Sequence, residues 1–174
     1  MMPRVLAIDP GPRHSAYVII DQDLDILTFG FCDNEDVECV VGTPTYTEMA
    51  IESVRSYGQM VGNSTFDTSY WEGKLCGIAQ CNKRPFYRYG RKNILTQMFG
   101  SSTYRSDSGA IKSYKDSDVR AGVISRYKPV GAGKTPQVGT KKNPGPLYGM
   151  SSHMWSALAV AHHHLERKYK CVFQ

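Results

Sequence analysis

The sequence predicts a single α/β domain, and three observations carry that expectation. The chain opens with a hydrophobic run, Val5 to Ile8, that passes directly into Asp9 and reverses through Pro10, Gly11 and Pro12 into an alternating stretch, His14 to Ile20. Further strand-like runs then alternate with longer stretches of helical spacing. With 174 residues, 41% of them hydrophobic, the chain can bury one core without disulfides or a structural metal.

Taken in order, Val5 to Ile8 reads as a buried strand, the Pro-Gly-Pro segment as a forced turn, and His14 to Ile20 as its hairpin partner. Ile26 to Phe31 continues the meander, and Met49 to Val54 is a fourth strand with Glu52 inside AIESV. Gly62 to Gln80 has the apolar spacing of a helix, Phe86 to Tyr89 is a fifth strand, and Lys92 to Phe99 a short helix. A Ser/Gly-rich loop follows, then a helix from about Ser117 to Tyr127 capped by Ser117 or Asp118. Lys128 to Gly149, rich in Gly, Pro and Lys, reads as a basic loop that is mobile until something binds it. The last helix starts at Ser151 or Ser152 and turns Trp155, Leu158, Ala159, His162 and Leu165 inward. No internal repeat breaks residues 1–174 into a second domain.

Composition narrows the function classes. Five cysteines, without CxxC pairs or zinc-finger spacing, read as reduced thiols of an intracellular protein. A strand beginning at the fifth residue leaves no room for a signal peptide, and no apolar run approaches the roughly 18 residues of a membrane helix, so the expectation is a soluble, non-secreted chain. The net charge of +5 conceals a division: residues 1–82 carry 4 Lys/Arg against 12 Asp/Glu, a balance of −8, and residues 83–174 carry 17 against 4, a balance of +13. Such segregation points to a polyanionic partner for the second half. Its densest part interleaves Lys83, Arg84, Arg88, Arg91 and Lys92 with Phe86, Tyr87 and Tyr89, cations for phosphates beside flat faces for unpaired bases.

Two motifs are set aside. GAGKT, Gly131 to Thr135, lacks the glycine that a Walker loop needs five positions before Gly133, where Lys128 stands, so no nucleotide cofactor is expected. His162, His163 and His164 are adjacent on a helix, so their side chains diverge by about 100° per residue and cannot share an ion; one packs inward and the others are solvated. What remains is Asp9 at a strand end, Glu52 in a later strand and His153 at the start of the last helix. Carboxylates that gather divalent ions beside phosphate-binding positive charge make a site for phosphodiester hydrolysis.

With those residues in view, the chain resembles the RuvC-type Holliday junction resolvases of the RNase H-like superfamily, in particular their phage and viral branch. AIDPGPRHSAY is similar to the first catalytic motif, with Asp9 as its acid, and AIESV to the second, with Glu52. Trp71 to Gly100 follows the family's helix, strand and helix, and HMWSALAVAHHH resembles the last motif, DxxDALAxA in many members. The two aspartates of that motif fall on His153, a position where some members carry histidine, and on Ser156, a hydroxyl that coordinates a hard cation weakly. Two carboxylates therefore stand where members often have three or four, with Asp118 as a possible substitute acid. Asp33 to Thr47 departs too, being short and rich in Val, Gly and Pro for the family's usual first helix.

The resemblance implies a five-stranded mixed sheet, its first three strands antiparallel, flanked by helices. It implies a structure-selective, Mg2+-dependent endodeoxyribonuclease that resolves four-way junctions with paired symmetric nicks, with two ions, Mn2+ substituting, and a homodimer in the cytoplasm of a bacterial or virus-infected host. Asp9, Glu52 and His153 are then the metal ligands, and Ser156 and Lys115 complete the catalytic set. DNA contacts fall to Arg55, Tyr57, Arg84, Arg88, Arg91, Lys134, Lys141 and Lys142. The apolar stretch Trp71 to Ile78 is an interface helix or a core helix. Two other classes remain open: a catalytically silent junction binder, favoured by Ser156, and a metal nuclease acting on flaps, forks or RNA-DNA hybrids.

Overall fold

The computed structural model describes residues 2–56, 58 and 60–170. Three strands form the opening meander, β1 (Arg4–Asp9), β2 (His14–Asp21) and β3 (Ile26–Asp33), followed by α1 (Asn34–Gly42), β4 (Glu48–Ser53), α2 (Asn63–Cys81), β5 (Phe86–Gly90) and α3 (Arg91–Phe99). A small hairpin of β6 (Thr103–Arg105) and β7 (Ile111–Ser113) precedes α4 (Asp116–Ile124) and the final helix α5 (Met154–Tyr169). The sheet is five-stranded and mixed, in the order β3-β2-β1-β4-β5. β1, β2 and β3 are antiparallel, whereas β4 pairs parallel to β1 and β5 parallel to β4.

Strand alternation divides the core in two. Val5, Ala7 and Ala50 point to a layer that holds α5, while Leu6, Ile8, Met49 and Ile51 point to the layer of α1 and α2. On β1 and β4 the positions facing α5 include Ala7 and Ala50, whose small side chains leave room for the helix to lie close. All eleven residues from Trp155 to Leu165 are buried, because α5 is enclosed by the sheet on one side and by α3 and α4 on the other. Here the expected inward stripe widens to the whole helix circumference. The histidine run is corrected accordingly. His162 meets the Tyr127 hydroxyl at 3.0 Å, His164 Nδ1 meets the Tyr89 hydroxyl at 2.8 Å, and His163 packs edge-on against the Tyr89 ring, so none of the three is solvated.

The segment from Asp33 to Thr47, read as poor material for a helix, nonetheless forms α1. Glu35 and Asp36 favour its first turn, and Val37 and Val41, one turn apart, anchor it to the core. Residues 101–113, read as a loop, contain the β6–β7 hairpin. The basic loop after α4 is folded on itself: Gly131 N–H donates to the Pro136 carbonyl, Gly145 N–H to the Val138 carbonyl and Leu147 N–H to the Gln137 carbonyl. Gly139, at φ +75°, lies so close to Gly145 that a Cβ would come within 2.2 Å of its nitrogen. These glycines serve backbone packing, with no strand before them and no phosphate loop.

One buried ionic cluster fastens the far end of α5. The Glu48 carboxylate, 2% exposed, receives Lys168 Nζ and the Tyr169 hydroxyl and stands 3.1 Å from His164 Nε2. Burial alone would raise this carboxyl, but the contacts from His164, Lys168 and Tyr169 outweigh it and hold it down at about 2. A depressed carboxyl contributes stability in full above its unfolded value and loses it as the pH falls towards the folded one. Glu48→Gln is therefore expected to cost about 3 kcal/mol in urea denaturation at neutral pH. It should also flatten the stability profile between about pH 4.5 and pH 2. An unchanged profile in that interval would remove Glu48 from this role.

Candidate active site

The parallel register of β1 and β4, Ile8 opposite Ile51, sets Asp9 and Glu52 one step further on, at the carboxyl ends of neighbouring strands. Both share the parity of Ala7 and Ala50, so both face the α5 layer, on strands about 4.8 Å apart. The turn behind Asp9 is tied by a closed set of hydrogen bonds. Gly11 N–H donates to Ser15 Oγ at 3.2 Å, Ser15 donates to Asn34 Oδ1 at 2.5 Å, and Asn34 Nδ2 donates to the Gly11 carbonyl at 3.0 Å. A Cβ at Gly11 would stand 2.3 Å from the His14 carbonyl oxygen, which is why this turn requires glycine. Asn34 is wholly buried at the first position of α1, so the helix not foreseen in the sequence is what braces the turn behind Asp9.

The start of α5 closes the site from above. His153, at the helix N-cap, places Nδ1 3.1 Å from Asp9 Oδ2 and stacks on Phe31 at 5.5 Å. That hydrogen bond raises the imidazole pKa, and it leaves Nε2 as the other ring nitrogen, available as a ligand. Glu52 is disfavoured as an anion, first by burial and then by the Asp9 charge, so its carboxyl is pushed well up despite the partial compensation of Arg91. Its Oε2 is buried without a hydrogen-bond partner. Arg91, the first residue of α3, reaches across: Nη1 lies 3.5 Å from Glu52 Oε2 and donates to Ser156 Oγ at 3.3 Å, and Nη2 is 2.5 Å from Asp116 Oδ1.

A cleft of about 220 Å³ is lined by Asp9, Pro10, Glu52, Ser53, Val54, Arg55 and Arg91. Asp116, His153 and Ser156 line an adjoining cavity of about 450 Å³ together with Arg120 and Met150. Asp9, Glu52, His153 and Ser156 are therefore gathered in one place, with Arg55 at its rim. Lys115 immediately precedes Asp116 and is exposed; its N–H is capped by Asp118, which is thereby occupied away from the acids.

The proposed DNA contacts sort differently. Arg84 lies over the Tyr46 ring and donates to the Val41 and Thr43 carbonyls, securing the end of α1. Arg88 points to the other sheet face, where its Nε is 2.6 Å from the buried Glu72 carboxylate. Both guanidinium groups thus also serve the fold, and the Arg88 side chain remains 54% exposed beside its Glu72 contact. Arg91 moves from the basic patch into the acid site. Lys134, Lys141 and Lys142 are exposed on the loop that ends at Met150, beside the cavity. Tyr57 lies outside the described residues. Sequence reading assigned Arg91 to DNA contact and missed Asp116, and it did not place Arg91 beside the acids, since in a run of five cations nothing marks the one that begins a helix at the carboxyl edge of the sheet.

No family model and no curated protein matches the chain; the similarity is to the folds of solved structures. The fold is similar to that of Thermus thermophilus RuvC, with a TM-score of 0.61 at 17% identity over 97% of each chain. The same protein in complex with a Holliday junction substrate gives 0.60 at 17% identity, over 95% of this chain and 96% of that one. The yeast mitochondrial Holliday junction resolvase Ydc2 gives 0.60 at 13% identity, over 98% of this chain and 80% of that one. The architecture is thus the RNase H-like α/β fold.

Two acids held together in a buried site cost stability. A raised carboxyl destabilises the fold as the pH climbs past the ordinary carboxylate range, because the folded state resists the charge that the unfolded chain accepts. With a chelator present, Glu52→Gln is expected to melt about 4 °C higher than the parent at pH 8, a gain on the order of 1–2 kcal/mol. The gain should shrink towards zero by about pH 4, where both states carry the proton. Matching melts at pH 8 would show that Glu52 carries no such burden.

Proposed function

We propose that the chain is a structure-selective endonuclease that resolves four-way DNA junctions by divalent-metal-dependent phosphodiester hydrolysis. One observation carries the reading: Asp9 and Glu52 are held side by side, the latter with a buried carboxylate oxygen that only Arg91 approaches, at 3.5 Å, at the carboxyl edge of a sheet whose fold is similar to those of junction resolvases over nearly the whole chain. Among the described residues no group of three or more His, Cys, Asp or Glu side chains stands ready for an ion. The donor set nevertheless fits a hard cation, since magnesium is commonly held by one or two carboxylates with water and substrate phosphate filling the remainder. Asp9 and Glu52 would hold it; His153, whose Nδ1 hydrogen-bonds Asp9, would join them as a nitrogen donor, which manganese accepts more readily, only by giving up that bond. Such an ion, when bound, supplies an activated water and neutralises charge on the phosphate.

The chain's own residues do the rest. Asp9 orients His153 through Nδ1, fixing the ring against Phe31. Arg55 lines the same cleft as the acids, where a phosphate neighbouring the scissile one would lie. The exposed lysines of the 128–150 loop extend positive charge outward from the cavity. Paired nicks need two such sites, so we include a homodimer in the proposal. Within Trp71 to Ile78, Leu75 and Cys76 are buried in the core, whereas Phe66 and Tyr70, one turn earlier on α2, are 63% and 61% exposed and supply an apolar surface for it.

The direct test is cleavage of a labelled mobile junction beside a flap and an RNA-DNA hybrid, in magnesium or manganese. The junction is expected to be cut in preference, and Asp9→Asn should abolish cutting while junction binding is kept or tightened, because a ligand is lost together with repulsion towards phosphate. Preferred cutting of the flap or hybrid, or full activity in Asp9→Asn, would overturn the proposal. Binding should weaken steeply with salt, and Lys141→Ala with Lys142→Ala should flatten the log-log slope by about one to two. A slope unchanged by the double substitution would place the DNA elsewhere.

A further inference from the structure

We infer that Arg91 is the second cation of this site: its guanidinium lies between Glu52, Asp116 and Ser156, so the chain binds one ion, at Asp9 and Glu52, and applies an arginine to the phosphate. The inference deepens the nuclease reading and rests on it only for the substrate, a phosphodiester.

The geometry is specific. The guanidinium lies between three elements, against Glu52 from β4, Asp116 at the start of α4 and Ser156 in the first turn of α5. A permanently charged, non-titrating group thus already faces Asp116 and one oxygen of Glu52, which leaves the other Glu52 oxygen and Asp9 for an ion. Ser156 fits that assignment. A hydroxyl accepts one hydrogen bond from Nη1 at 3.3 Å, whereas a carboxylate at that position would pair fully with the arginine. Its five N–H donors face three partners, Glu52 and Ser156 from Nη1 and Asp116 from Nη2, and the side chain is 27% exposed, so the remaining donors can reach a bound phosphate. Placed beside the acids, those donors stabilise the charge that gathers on the non-bridging oxygens as the phosphodiester bond breaks. Arg91 is then a catalytic residue, and Asp116 and Ser156 position it.

Two readouts test this, one of them independent of cleavage. Calorimetric titration of the chelator-treated full chain with Mn2+ is expected to give one ion per chain. Ser156→Asp should stay at one, since its carboxylate is taken by Arg91, and Ser156→Asp combined with Arg91→Ala should rise to two. Two ions in the parent or in Ser156→Asp, or a single ion in the double variant, would overturn the inference. In the second readout Arg91→Ala is expected to lower kcat on the junction by about 10²-fold. Junction affinity, measured in Ca2+, should change less than about threefold, and Arg91→Lys should recover part of the loss while losing the two-pronged grip. A kcat unchanged by Arg91→Ala would overturn the inference, as would a loss confined to affinity. If the parent cuts no junction at all, the nuclease reading falls, while the Mn2+ stoichiometry still decides the place of Arg91.

Discussion

Mutual repulsion between Asp9 and Glu52 is the constraint around which this molecule is arranged. Two carboxylates on adjacent parallel strands, both largely buried and with one oxygen lacking a hydrogen bond, are unfavourable on their own. Three features hold them in place. Parallel pairing of β1 with β4 fixes the strand ends, the Gly11, Ser15 and Asn34 hydrogen bonds fix the turn, and the start of α5 sets His153 over Asp9. Unfavourable local electrostatics sustained by the surrounding fold are characteristic of sites built to receive charge from outside.

The last helix connects that site to the rest of the fold. Its first turn carries His153 and Ser156, and its far end is fastened through His164, Lys168 and Tyr169 to Glu48. Glu48 and Glu52 lie on the same strand and the same sheet face, four residues apart, yet their surroundings drive them in opposite directions. Glu48 is met by cationic and hydroxyl donors and is held as an anion; Glu52 is met by another acid and resists ionisation. The first is a structural latch, and the second is kept poised for a cation.

Charge segregation along the sequence becomes a different distribution in space. Of the basic second half, Arg84, Arg88 and Arg126 are committed to carbonyls or carboxylates of the chain itself, and Arg91 is drawn into the acid site. The lysines of the 128–150 loop stay exposed on a backbone braced by glycine packing. A polyanion would therefore meet a more localised positive surface than the balance of +13 for residues 83–174 implies.

By itself the sequence determined the strands, because alternation and buried runs encode them directly, whereas their arrangement in one mixed sheet came from the resemblance: the meander, the Glu52 strand, the Phe86 strand and the long helices all lie where hydrophobic spacing puts them. It also marked Asp9, Glu52 and His153, each polar at the edge of an apolar element. Tertiary structure alone decided what depends on partners distant in the chain. Helix α1 forms on two valines and a buried asparagine whose partners are Gly11 and Ser15, which no local pattern reveals. The histidine run is buried because three elements enclose α5, and helical periodicity reports one face at a time. Arg88 and Arg91, three residues apart, part ways at the end of β5: one points to the α2 face and Glu72, and the other begins a new helix and turns into the site. Local sequence sets the conformation of a segment, but the role of a charge is set by whichever opposite charge the fold brings within about 4 Å of it.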